Sequence, residues 1–347
     1  MPGFWNSTTL RDESALFIRQ EGADNAQVSL LFDPLQVISV TSSSGEARYA
    51  AGRDYALVPG TNVLSAPPGS AIPVKRAAEL TAPVGSQPYD LRRRDGLAEI
   101  LFGAGHEYHD MQVLVTYTHA PGQWLGPIPR FAGERLPNTL RMLRASEPVR
   151  LVIFGDSISA GCNASKWAGA PPFRPFYGEV FAENLQAAYG SAVALRNLSV
   201  GGTASAWGVQ EIGQVIAERP DLVVLAFGMN DGTGGCPVGD YGGNLQAQMA
   251  AVRGARPDAE FILVASMLPN PDWHVSDIPR LFEYRDALLA LGAASDGAGV
   301  AVADLTSVWA ELHRRKDPLS ITGNGVNHPN DFGHALYAQV ASALLIE

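Results

Sequence analysis

From Val149 onward the chain repeats one rhythm: a short apolar run, a polar glycine-rich loop, then a stretch with helical spacing. The apolar runs are RLVIFG, AVALRNLSV, DLVVLAFG, EFILVAS and GVAVADL. Helical patterns separate them at 177–189, 206–218, 242–254, 279–293 and 331–346. Strands that are apolar along their whole length need cover on both faces, so this half predicts an α/β fold with a parallel sheet between helical layers. In such sheets ligands meet the loops at the carboxyl ends of the strands. Those loops are therefore the place to look for chemistry.

The preceding half has another rhythm. ALFIRQ, VSLLF, LQVISV, YALV, VLS and MQVLVTYTH are separated by EGAD, SSSGE, PGTN and APPGS. Short β-rich runs broken by turn formers predict an antiparallel β-sandwich or jelly roll. Residues 120–147 are rich in Pro and Gly and end in a brief basic, helix-like segment, which reads as a connection. The expected division is a sandwich domain over 1–120, a linker over 121–147 and the α/β domain over 148–347.

Composition narrows the partners. Formal charge is −10, from 25 basic and 35 acidic residues, and residues 148–347 hold 12 basic against 20 acidic. An acidic body repels phosphate backbones, so nucleic acid and polyanions are not expected partners. No run approaches the ~18 apolar residues of a membrane span. The start, MPGFWNSTTLRDES, has no basic region followed by an apolar one, which points to a cytoplasmic protein, with a secreted and trimmed one as the alternative. His106, His109 and Asp110 lack the i, i+4 helical histidine pair of a zincin and are expected to be ordinary surface or core residues. No phosphate-cradling loop, nucleotide fingerprint or metal set is visible, so no cofactor and no metal is expected.

Four loops carry the candidate chemistry. In FGDSISAG, Ser157 follows a strand and opens a helix, where unpaired N–H groups favour developing negative charge. Ser is also a common helix cap, so this residue alone decides nothing. In NLSVGGTAS, Gly201 and Gly202 permit close backbone approach, as would any tight turn. In FGMNDGTGG, Asn230 could donate an amide hydrogen or build an Asx turn. Near the end, Asn327-His328-Pro329 precedes Asn330 and Asp331, which are placed to cap a last helix. A Ser, a Gly, an Asn and a His at the mouths of different sheet elements meet the needs of acyl transfer.

These blocks resemble the SGNH (GDSL-type) hydrolases: GDS at 155–157, GG at 201–202, GMND at 228–231 and NHP at 327–329, in that order. The resemblance covers about 148–347. It implies a flavodoxin-like three-layer αβα domain in which Ser157 attacks an ester carbonyl and His328 is the general base. It also implies an oxyanion hole made of the Ser157 N–H, the Gly202 N–H and the Asn230 side chain. Members usually carry an acid three residues before the histidine, and here that position is Gly325. The orienting group is then expected to be a backbone carbonyl near Gly325 or Val326, giving a Ser–His dyad, or else a carboxylate such as Asp331 or Asp304. Some two-domain carbohydrate esterases are similar both in the leading β-sandwich and in this missing acid.

The implied substrate is a short acyl ester, most simply acetyl, carried by a saccharide. Trp124, Trp167, Trp207 and Trp273 fall in or near the relevant loops, and Trp273 with His274 and Trp124 are the candidate substrate contacts. Rival readings are a lysophospholipase, thioesterase or arylesterase with the same site, or a non-catalytic carbohydrate-binding protein on a degenerate hydrolase fold. Cys162 and Cys236 each lie five residues past a signature block. The family's fold would make those loops neighbours, but free thiols are the expectation.

Overall fold

The computed structural model describes residues 3–294 and 299–347. In the second half, five strands form one sheet: β1 (Val149–Gly155), β2 (Val193–Asn197), β3 (Leu222–Ala226), β4 (Glu260–Ala265) and β5 (Val300–Asp304). All four pairings are parallel, and the order is β2-β1-β3-β4-β5. That is the doubly wound order with the topological switch at β1 and β3, where the ligand crevice of such folds lies. β3 and β4 are buried at every position, as the apolar runs at 222–226 and 261–265 require. β2 is an edge strand with only Val193 buried.

The helices fill both outer layers. On one side α2 (Tyr177–Tyr189) packs against α8 (Asp331–Ala343). On the other, α3 (Ser205–Ala217), α5 (Val238–Ala255) and α6 (Ile278–Ala294) run side by side. Two short helices sit at the carboxyl edge of the sheet, α1 (Ser157–Ala160) and α4 (Met229–Thr233). Another, α7 (Leu305–Arg315), follows β5 without a loop, because Asp304 both ends the strand and caps the helix through Ser307 N–H at 2.9 Å. The fold is thus the three-layer αβα arrangement expected of this half.

The first half is a β-sandwich of two sheets. One pairs Thr9–Ala15, Val113–His119, Pro34–Ser42 and Arg48–Tyr49 in that order, all antiparallel. The other orders Ala56–Leu57, Val63–Ala66, Ala26–Ser29, Phe17–Arg19 and Val74–Arg76, antiparallel except for its last pair. A further ribbon joins Thr81–Ala82 to Glu99–Ile100.

One buried cluster runs through both halves, from Phe4, Trp5 and Tyr117 to Trp309, Phe332 and Leu336. The stretch between them contributes Trp124, Leu136, Leu140 and Leu143 to that core, the last two on the helix Pro137–Arg144. Polar groups cross the boundary as well. Asn330 Nδ2 donates to Ser14 Oγ at 2.9 Å and to Gln112 Oε1 at 2.8 Å, and Phe4 N–H donates to Gln339 Oε1 at 2.8 Å. Among the described residues no helix is long and apolar enough to cross a membrane.

Candidate active site

β1 delivers the first element. Its last residue is followed by Asp156, whose carboxylate accepts from Ile158 N–H at 3.0 Å and so starts α1. Ser157 is the first residue of that helix, and its own N–H therefore has no intrahelical acceptor. Burial pushes the Asp156 carboxyl up to about 7, and the nearby Asp231 adds to the rise. Asp231 is also raised by burial; it accepts from Ser205 N–H at 3.0 Å and from the Ser205 hydroxyl. Both motif aspartates are thus framework groups, holding α1 and the start of α3 in place.

The loop after β2 passes beside the serine: a Cβ on Gly201 would lie 3.6 Å from the Ser157 Cβ. Gly202 has φ of +78°, a backbone that L side chains rarely adopt. One residue on, the Thr203 carbonyl accepts from Asn230 Nδ2 at 2.9 Å. That bond uses one amide hydrogen of Asn230 and ties the loops after β2 and β3 together. Ser157, the glycine pair and Asn230 are therefore gathered at one place.

The histidine loop is gathered around the Asn324 side chain. Asn324 Oδ1 accepts from Val326 N–H at 2.9 Å, Asn327 N–H at 2.9 Å and His328 N–H at 3.1 Å. Thr322 Oγ1 and Gly323 N–H bind the His328 carbonyl at 3.0 and 2.9 Å. Asn330 then caps α8 through Gly333 N–H at 3.0 Å. So anchored, His328 Nε2 lies 2.8 Å from Ser157 Oγ, although 171 positions separate the two. Desolvation in the cleft, and then the neighbouring His334, hold the His328 pKa down at about 4.

The orienting groups expected from the sequence are engaged elsewhere. The Gly325 carbonyl accepts from Asn270 Nδ2 at 2.8 Å and the Val326 carbonyl from Asn270 N–H at 2.6 Å. Asp331 Oδ1 accepts from Ser165 N–H at 2.7 Å, and Asp304 caps α7. In their place His328 Nδ1 meets Asn163 Oδ1 at 2.7 Å. Asn163 sits three residues beyond α1 in the left-handed region, with φ of 63°. Nothing in the sequence links it to a histidine 165 positions away.

Gly325 itself has a structural reason. A Cβ there would fall 2.5 Å from both the Leu101 carbonyl oxygen and the Tyr108 Oη, at a φ of +87°. The N-terminal lobe occupies the space an acid would need.

The proposed substrate contacts also need correction. Trp124 is buried, edge-on to Phe4 with 4.8 Å between ring centroids, and its Nε1–H donates to the Pro127 carbonyl at 3.0 Å. It is a core residue. Trp273 donates Nε1–H to the Asp90 carbonyl at 3.0 Å and packs with Leu91, Ile100, Phe102 and Val326. Its indole fastens the N-terminal lobe to the histidine loop. His274 Nε2 lies 3.1 Å from an Asp90 carboxylate oxygen, on the same side of this junction. Trp207 packs on Phe154, whereas Trp167 is exposed. Cys162 and Cys236 are both free, and burial raises the Cys162 thiol to about 11.

Residues 153–336 match the GDSL-like lipase/acylhydrolase family. No curated protein sequence matches the chain. Among solved structures, a two-domain esterase active on acetylated mannans, co-crystallised with mannopentaose, is 21% identical with a TM-score of 0.48, covering 63% of this chain and 55% of its own. The chain thus spans little more than half the length of that protein. Axe2, an acetylxylan esterase from Geobacillus stearothermophilus, is 17% identical with a TM-score of 0.44, covering 55% of this chain and 91% of its own. TesA is 20% identical with a TM-score of 0.42, covering 55% and 94%.

Proposed function

Because the chain belongs to the GDSL-like lipase/acylhydrolase family, we propose that it is a carboxylic ester hydrolase with Ser157 as its nucleophile and His328 as its general base. The observation that carries this reading is the 2.8 Å contact between Ser157 Oγ and His328 Nε2 at the switch point of the sheet. As the hydroxyl oxygen attacks the acyl carbon, its proton passes to Nε2. The carbonyl oxygen becomes an oxyanion facing the Ser157 N–H, the Gly202 N–H and the free hydrogen of Asn230 Nδ2, donors that need no rearrangement at that moment. Collapse breaks the ester bond, and the leaving alcohol takes the proton from Nε2. Water, activated by the same nitrogen, then releases the acid and restores Ser157.

The acyl group in this reading is short, most simply acetyl, and the alcohol is a saccharide. The sequence carries no long apolar run of the kind that would form a lid. Val326, two residues before His328, anchors a cluster with Phe102 and Trp273, and Tyr89 extends it outward at 62% exposure, edge-on to Phe102. An exposed ring beside the histidine loop offers a sugar a stacking surface. The same reading divides the chain into a sandwich domain over 1–120, a connection over 121–147 and the hydrolase domain over 148–347, the first serving as a packing partner.

Labelling with a fluorophosphonate probe tests the nucleophile: the wild-type chain is expected to react and Ser157→Ala to stay unlabelled. Assay on acetylated xylan, glucomannan, pectin and free acetylated sugars tests the substrate. kcat/KM is expected to fall as the acyl chain lengthens; a rise would replace the deacetylase with a thioesterase or lysophospholipase.

A further inference from the structure

We propose that Asn163, clamped by backbone carbonyls of the N-terminal lobe, is a positioning residue that selects the base-competent tautomer of His328, in place of the family's carboxylate. The inference rests on the assignment of Ser157 and His328 made above.

An amide offers one acceptor oxygen and one donor nitrogen, and at Asn163 both ends are committed. Nδ2 faces the Gly105 carbonyl at 2.9 Å and the Gly103 carbonyl at 3.4 Å. Carbonyl oxygens only accept, so this end must be the NH2 and the other must be Oδ1. Oδ1 in turn has no hydrogen, so the His328 nitrogen 2.7 Å away must carry one. With the proton on Nδ1, Nε2 presents a lone pair to the serine hydroxyl 2.8 Å away, as a general base requires. The opposite tautomer would set two lone pairs against each other at Nδ1. Asn163 is 6% exposed, which shields these bonds from competing water.

A carboxylate at 163 would keep an acceptor for His328 Nδ1 but lose the clamp. It would turn an oxygen toward two carbonyl oxygens, with no hydrogen to place between them. Nor can the acid return to position 325, where Leu101 O and Tyr108 Oη fill the space, 2.8 Å from each other. Residues 101–108 of the N-terminal lobe thus close the usual acid position with Leu101 and Tyr108 and hold its neutral replacement with the Gly103 and Gly105 carbonyls between them. Asn324 couples the two: its carbonyl accepts from Gly103 N–H at 3.2 Å while its side chain cradles His328. The first lobe thereby reaches the serine through three contacts: carbonyl to amide, amide to imidazole, imidazole to hydroxyl.

The test uses the full chain. Histidine 15N NMR of the wild type, with the His328 signal assigned by its loss in His328→Gln, is expected to show the proton on Nδ1. A proton on Nε2 overturns the inference. Asn163→Ala is expected to lower kcat by about 10²-fold or more, since the base loses the group that fixes its tautomer, with KM within about threefold. Full kcat in a folded Asn163→Ala protein also overturns it. If that variant does not fold, Asn163→Asp and the wild-type spectrum decide. The aspartate is expected to raise the His328 titration by about one pH unit or more, since a facing carboxylate favours imidazolium. His334, the titratable group beside the ring, and Asp331, which acts on His334, are unchanged in that comparison. An unmoved titration overturns the inference. A wild type that neither reacts with fluorophosphonate nor cleaves esters counts against the esterase assignment, whereas a labelled, active enzyme indifferent to Asn163 counts against the clamp alone.

Discussion

Lys316 and Glu13 form an ion pair in which both side chains are 0% exposed, one from the end of α7 and the other from the first strand of the sandwich. Glu13 also accepts from Leu31 N–H at 2.8 Å and from Tyr117 Oη–H at 2.6 Å, and Lys316 Nζ donates to the Ser29 carbonyl at 3.2 Å. Removing one partner leaves an uncompensated buried charge. Lys316→Met is therefore expected to destabilise the fold by roughly 3–5 kcal/mol in urea unfolding. Adding Glu13→Gln, which keeps an acceptor for Leu31 and Tyr117, is expected to recover at least half of that loss.

Ser157→Ala and His328→Ala should each lower kcat by about 10⁴-fold or more, as removal of a nucleophile or its base does. Asn230→Ala should cost on the order of 10²–10³-fold, the value of one oxyanion donor. Asp331→Ala should cost less than about tenfold, since its carboxylate braces Ser165 and makes no contact with the imidazole. Steady-state kinetics on p-nitrophenyl acetate separates the three classes.

The depressed pKa of His328 sets the acid limb of the rate profile. A base works only when unprotonated, and desolvation holds this ring near 4 rather than at the ordinary 6.5. kcat/KM should stay level from neutral pH to about pH 5 and fall only below it. A midpoint near 6.5 would mean that the cleft does not exclude water from the ring.

Asp156 should give stability the opposite pH dependence from an ordinary carboxylate. Its folded pKa, about 7, lies above its normal value of 3.8, so between those limits the folded state binds more protons than the unfolded state. That contribution is fully present in acid and is lost as pH rises through 7. Asp156→Asn keeps an acceptor for Ile158 and removes the titration. The variant's Tm relative to wild type should therefore rise between pH 5 and pH 8.

Gly325→Asp restores the family's acid on paper and should fail in practice. Its Cβ would enter the contact zone of Leu101 and Tyr108 at a strained φ, at an expected cost of about 3 kcal/mol or more. Thermal unfolding and kcat should both decline.

The α/β half was legible because its central strands are buried on both faces, so that β3 is apolar throughout and β4 is apolar after Glu260. The first strand of the sandwich was not. TLRDESA reads as polar, yet Glu13 and Ser14 are buried because Lys316 and Ser320 meet them from the other lobe. Pro and Gly made 121–147 look like a tether, although Trp124, Leu136 and Leu140 belong to the shared core. Helix α7 escaped because no loop separates it from β5. Ser157 and His328 were visible through their neighbours in sequence, whereas Asn163 is defined only by what folding brings beside it.

The bond between Asn330 and Ser14 closes a loop of 316 residues, and it holds the residue that starts α8 just after His328. Contacts so distant along the chain form slowly, because the entropy of closing the loop is lost before any contact rewards it. During refolding the parallel sheet can gain its circular dichroism while the imidazole is still adrift. Recovery of hydrolysis will then lag behind recovery of secondary structure, and the enzyme's own turnover becomes a clock for the last step of its assembly.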